Sequence, residues 1–217
     1  ELSFNLLYLG GNGFYWKIVR HQQHDDLLEI RRAEDGLRAW ASNPGEYYHS
    51  FDGSYGGLWR RNGRPPQQLV GIGFTAQGVF EGQPYKRTCY DPEFDWLFEG
   101  LDGDEIGNFG FSGNGAAGFE LDRVDPNLEN SHNISLLAQS FANAFMLVPE
   151  EHLTHLTNLS GGSEYAAKRA DMIYFETPSG GKVFSVGSIT FCGSLPWNHF
   201  DNNVSQLLLN VVKRFTN

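Results

Sequence analysis

The sequence predicts a layered α/β domain, and three observations predict it. Short apolar runs rich in β-branched and aromatic residues recur between glycines and prolines. Two of them, in MIYFETPSGGKVFSVGSITF at 172–191, flank Pro178 and the Gly180-Gly181 pair as the arms of a hairpin would. The chain then closes on a stretch with clear helical spacing, so strands and helices must share one core in layers.

Taken in order, the predicted strands are Leu6 to Leu9, Tyr15 to Val19, Leu69 to Phe74, Ile134 to Ala138, Met172 to Phe175 and Val183 to Phe191. The last element, about Val204 to Phe215, carries apolar residues at 204, 207, 208, 211, 212 and 215, a helical stripe. Asn202 or Asn203 suits its start, and Lys213 and Arg214 suit the negative end of its dipole. No internal repeat or low-complexity linker divides residues 1–217, so one domain is expected. A strand at the very start, running into glycines, reads as the middle of an α/β domain. The reading is therefore of a part of a longer polypeptide, lacking the first strand and helix of its domain.

Composition narrows the function. The 217 residues include 40% hydrophobic and 19% charged residues, a globular balance, while 26 glycines call for many tight turns and functional loops. A net charge of -10 argues against nucleic acid or an anionic membrane surface as partner. No apolar run approaches the roughly 18 residues that span a bilayer. Cys89 and Cys192 are too few for a disulfide framework and form no CxxC, which fits a reducing cytoplasm. The sequons at Asn133, Asn158 and Asn203 would matter only in a secreted chain.

The familiar reactive motifs fail on context. GNGAAG at 113–118 matches the dinucleotide fingerprint by letter, but FELDRVDP follows it and reads as a strand running into a turn, where the fingerprint needs a helix. No GxSxG elbow exists, and neither cysteine sits at one. The HxxH pairs His21/His24 and His152/His155 lack the HExxH glutamate and a third ligand, and read as solvated surface. What remains is tyrosine and carboxylate. LLYLGGNGFYWKIV at 6–19 sets Phe14, Tyr15 and Trp16 beside a glycine turn. GEYYHSFDGSYGGLWRRNGRPP at 45–66 gathers Tyr47, Tyr48, His49, Tyr55, Trp59, Arg60 and Arg61 in one glycine-punctuated loop.

YLGGNGFYWKI, GEYYHSFDGSYGGLWRRNGRPP, GAAGFELDR, RADMIYFETPSGGKVFSVGSITFCGSLPWN and DNNVSQLLLNVVKRF together resemble, in this order, the C-terminal part of the large subunit of the N,N-dimethylformamidase family. The resemblance implies a glutamine amidotransferase-like (flavodoxin-like) fold without the cysteine nucleophile. It implies hydrolysis of the amide bond of N,N-dimethylformamide, or a similar small formamide, to dimethylamine and formate at a mononuclear ferric iron, Fe(III), held by two tyrosines and a glutamate. Carried onto this chain, those ligands are Tyr15, Tyr55 and Glu120, with Tyr48 the alternative to Tyr55 and Glu99, Glu105 and Glu129 the alternatives to Glu120. Glu176 and His49 are the candidate acid/base groups. The implied partners are the small amide substrate, the rest of the large subunit, a small light subunit and further copies in an oligomer. Two other readings stay open, a noncatalytic ligand-binding or scaffolding module of the same fold, and a different hydrolase with its own substrate.

The ligand chemistry is sound. A phenol with a pKa near 10 loses its proton at neutral pH only beside a strong positive charge. Two phenolates and a carboxylate form a hard oxygen set that favours a highly charged ion over zinc, and three protein ligands leave positions open for water and substrate.

Overall fold

The computed structural model describes residues 3–33, 43–78, 80–126, 128, 132–141, 144–147 and 166–216. In chain order the elements are β1 (Leu6–Tyr8), β2 (Ile18–Arg20), β3 (Leu28–Ile30), α1 (Gln67–Val70), β4 (Gly73–Gly78), β5 (Tyr85–Arg87), α2 (Asp95–Phe98), β6 (Glu105–Ile106), β7 (Glu120–Arg123), β8 (Ser135–Ser140), β9 (Ala144–Leu147), β10 (Ala170–Glu176), β11 (Lys182–Ser185) and α3 (Asn203–Thr216). It is a mixed α and β structure. Six strands form the main sheet in the order β1-β11-β10-β8-β5-β6, with β1 parallel to β11 and every other pair antiparallel. β7-β4-β9 form a second sheet, and β2-β3 a small ribbon.

The hairpin stands where the sequence puts it. Glu176 pairs with Lys182, and Thr177 closes the turn by donating its N–H to Gly181 and accepting one from Gly180. Because successive strand residues face opposite ways, β10 feeds two cores. Met172 and Tyr174 pack with Leu97 of α2 and with Leu207 and Val211 of α3, while Ile173 and Phe175 pack with Val70, Ile72 and Val183. The final helix forms as expected and buries Val204, Leu207 and Val211 of its stripe, with Val212 exposed, and Asn202 caps it by accepting a hydrogen bond from Ser205 N at 2.9 Å.

Three expected strands are shorter or differently built. Leu69 to Phe74 is not one strand: Pro65 and Pro66 start a helical turn, α1, which Gly71 ends in the left-handed region at φ 78°, and β4 begins only at Gly73. A side chain at Gly71 would lie 2.6 Å from Ile173 Cδ1, so packing demands glycine there as well. The run from Val183 leaves the sheet after Ser185, where Gly187 turns the chain at φ 71° beneath the backbones of Asp122 and Asp171. Tyr15 and Trp16 likewise precede β2, and Trp16 is bridged to Leu58. GNGAAG runs into β7, a strand, as its context requires. His21 and His24 lie in the β2–β3 connection, with His21 Nδ1 accepting from the backbone of Gln23 and His24. His152, His155, Glu129 and Asn158 lie outside the described residues.

Candidate functional site

The site begins where β1 ends. Tyr8 is followed by Gly10 to Gly13, and this turn lies against β7. A Cβ on Gly11 would stand 2.8 Å from Glu120 O, and one on Gly13 would overlap the Tyr8 ring at 2.7 Å. Both glycines are therefore fixed by close approach. Asn12 donates its backbone N–H to Asp122 Oδ1 at 2.8 Å and its side-chain Nδ2 to Glu120 Oε1 at 3.1 Å. Glu120 and Asp122 are two residues apart on a strand, so one face of β7 presents both carboxylates to one turn residue. Tyr8 completes the contact: its hydroxyl donates to Asp122 Oδ2 at 2.8 Å and accepts from Gly13 N at 2.6 Å. Burial, and then the neighbouring Asp122 carboxylate, push the Tyr8 phenol far above its ordinary value, so it stays a protonated donor.

Beyond the turn the chain is joined to the 45–66 loop. Lys17 N donates to Gly57 O and Trp59 N to Tyr15 O, an antiparallel pairing three residues long. Lys17 Nζ reaches back to Tyr55 O and Ser54 Oγ, each at 2.8 Å. Tyr15 is buried, its ring edge-on to Phe74 at 5.4 Å and packed on Leu58, with the hydroxyl oxygen shielded from solvent. Tyr55 is half-buried and bridges Tyr48, whose ring meets it edge-on at 5.3 Å. Tyr48 is the exposed member of that pair, at 56%. Thus the segments of Tyr15 and Tyr55 are hydrogen-bonded neighbours, and the turn before Tyr15 grips Glu120.

The other carboxylates lie elsewhere. Glu105 opens β6, the opposite edge strand of the main sheet from β1, and accepts from Asn108 Nδ2. Glu99 follows α2, where its carbonyl holds Asn210 of α3. Glu176 is exposed at the hairpin end of β10 and accepts from the Tyr174 hydroxyl at 2.5 Å. It pairs with Lys182, whereas Tyr8, at the turn, pairs with Ser185, roughly 10 Å further along β11 at strand rise. His49 is buried one residue from the Tyr48/Tyr55 bridge, its Nδ1 3.9 Å from Glu29 Oε2. Neither ring nitrogen has a hydrogen-bond partner among the described residues. Burial holds its pKa below the usual histidine value, against the pull of Glu29 and Asp52.

Beside the turn, Phe14, Ile18, Trp59, Arg64, His132 and Pro178 line a largely apolar cavity of about 670 Å³. Sequence reading singled out neither this cavity nor Tyr8, Asn12 and Asp122 as a unit. The available signal was the alternation of carboxylates in GFELDR, which puts Glu120 and Asp122 on one strand face.

The fold and site together define a mixed-sheet protein with an oxygen-rich cluster, phenol and carboxylate, gathered at a glycine turn on the edge of the main sheet. Its family is then explicit. A family model described as N,N-dimethylformamidase beta subunit-like, C-terminal, matches residues 4–203, and the chain belongs to that family. It is 38% identical over 217 residues to the N,N-dimethylformamidase beta subunit of Paracoccus aminophilus and, at the same identity, to that of an Alcaligenes species. Each match covers 96% of this chain and 28% of the relative, so the chain spans little more than a quarter of the length of those proteins.

Proposed function

We propose that this chain supplies the metal centre of an amidohydrolase that cleaves a small N-substituted formamide, such as N,N-dimethylformamide, to dimethylamine and formate. The ligands are Tyr15, Tyr55 and Glu120, and the ion is a mononuclear Fe(III). The observation that carries the reading is the double tether of the turn before Tyr15, to Glu120 through Asn12 and to the Tyr55 segment through Lys17 and the 57–59 pairing.

The residues present suit the ion. Glu120 takes its hydrogen bond from a neutral amide, which leaves its charge for a cation, and the amide oxygen of Asn12 and the hydroxyl oxygen of Tyr15 are both shielded from water. These are hard oxygen donors, of the kind that hold a hard cation. When bound, such an ion supplies Lewis acidity toward the amide carbonyl and lowers the pKa of a coordinated water. The protein's own part is to orient and to move protons. His49, kept neutral by burial, is the candidate base for the attacking water's proton, and the departing amine takes up a proton as the C–N bond breaks. The apolar cavity beside Phe14 and Trp59 suits a small N-alkyl substrate. Glu176, bonded to the Tyr174 hydroxyl at the hairpin end, lies outside the ligand set.

Finer placement follows the same reading. The helices α2 and α3 on one face of the main sheet support an amidotransferase-like layered fold. The relatives' designation as beta subunits supports assembly with another subunit, and the free thiols Cys89 and Cys192 support a reducing compartment such as the cytoplasm. No described helix is long and apolar enough to cross a membrane.

Purified protein should contain iron and absorb in the visible as a ferric phenolate. Tyr15→Phe and Tyr55→Phe should each remove that absorption and amide hydrolysis, while Tyr55→Phe costs less than about 1 kcal/mol of stability because its ring remains. Full iron content in both variants would refute the ligand set. Retention in Tyr55→Phe alone would move the assignment to Tyr48.

A further inference from the structure

The turn between β1 and Tyr15 is under backbone strain. Asn12 at φ 62° and Phe14 at φ 54° both sit in the left-handed region, and Phe14 has no polar side chain to ease it. Residues held there are strained and persist only where their surroundings over-determine them. Here the surroundings are one carboxylate and one phenol. Asp122, fully buried, fixes the Asn12 N–H directly and the Gly13 N–H through the Tyr8 hydroxyl. Phe74 lies directly across from Asp122 in the β4–β7 register, and its ring holds Tyr15. The two ends of the strained turn are thus held by a cross-strand pair on neighbouring strands.

We propose that Asp122 and Tyr8 are positioning residues for the metal centre. They hold the 10–14 turn in the one conformation that aims Tyr15 and, through Asn12, aligns the Glu120 carboxylate, without touching the ion. This rests on the reading of Tyr15, Tyr55 and Glu120 as ligands.

The test uses Tyr8→Phe and Asp122→Asn in the purified protein, with iron affinity, the visible phenolate band and the melting temperature as readouts. Tyr8→Phe keeps the ring that packs under Gly13 and removes only the hydroxyl relay. It should weaken iron binding tenfold or more and shift the phenolate band while moving the melting temperature by only a few degrees. Asp122→Asn retains an acceptor for Asn12 N but loses the charge, and should act in the same direction. The double variant should be little worse than the weaker-binding single one, because both act through one chain of hydrogen bonds. Native affinity and an unmoved band in Tyr8→Phe, in a protein that loses iron on Tyr55→Phe, would overturn the positioning role alone. Iron retained in both Tyr15→Phe and Tyr55→Phe, or absent from the unaltered protein, would overturn the ligand reading and this proposal with it. Should Asp122→Asn fail to fold, Tyr8→Phe decides the question.

Discussion

Glu29 and His49 show how a buried corner of the 45–66 loop responds to acid. Burial by itself raises the Glu29 carboxyl, but the N–H groups of Ser50 and Phe51, the Ser50 hydroxyl and the Arg31 guanidinium outweigh it and pull the pKa down to about 2. In the unfolded chain the same group titrates near 4.5. The folded state therefore holds fewer protons than the unfolded one below that value, and the stabilisation present above pH 4.5 is lost as the pH falls toward 2. His49 adds a loss of the same sign higher up, since its folded pKa lies below 6.5 and the unfolded ring takes a proton first. Unfolding free energy should decline in two stages on acidification. Glu29→Gln should flatten the lower stage and His49→Gln the upper, as read by urea titrations across pH 3 to 8. A single stage unchanged by either substitution would refute the assignment. Neither residue's partner was legible in the sequence, because nothing in the alternation of residues 28–30 shows which loop will fold over them.

At the scale of elements, legibility followed local chemistry. The 172–191 hairpin and the final helix were readable because their own residues decide them: a glycine pair at a turn, and an apolar stripe with an asparagine before it. Asn202 does more than cap. Its Nδ2 also donates to the carbonyls of Leu195 and Trp197, fixing how the chain enters α3. Asn202→Ala should cost about 1–2 kcal/mol, at the upper end for an N-cap, measured by chemical denaturation. A loss within error of zero would mean that water replaces all three bonds. The 69–74 stretch misled because an apolar run does not distinguish a strand from a helical turn that feeds one; the decisive residues, Pro65, Pro66 and Gly71, flank it or interrupt it. The glycine turn at 10–13 was legible as a turn. Its grip on β7 was not, since Asp122 lies 110 residues away from Asn12.

For the whole molecule, the sequence revealed an α/β composition and the family blocks, but the strand order β1-β11-β10-β8-β5-β6 could not be read from it. Pairing β1 with β11 joins segments 177 residues apart. Leu6 sits beside Val183, while Asn5 bonds both Lys182 N and the Phe215 carbonyl. That arrangement has a consequence in time. A contact across 177 residues carries a large loop-closure cost, so it is favourable only after the intervening strands have condensed. β1 should dock late, and Leu6→Ala should speed unfolding while leaving the folding rate nearly unchanged, a φ-value near zero in stopped-flow measurements. A φ-value near one would put β1 in the nucleus. Late docking means that the glycine turn, and the tyrosine it carries, come into register only once the rest of the sheet exists. A refolding molecule then passes through a stage in which the hairpin and α3 are complete and the oxygen cluster has not yet been assembled.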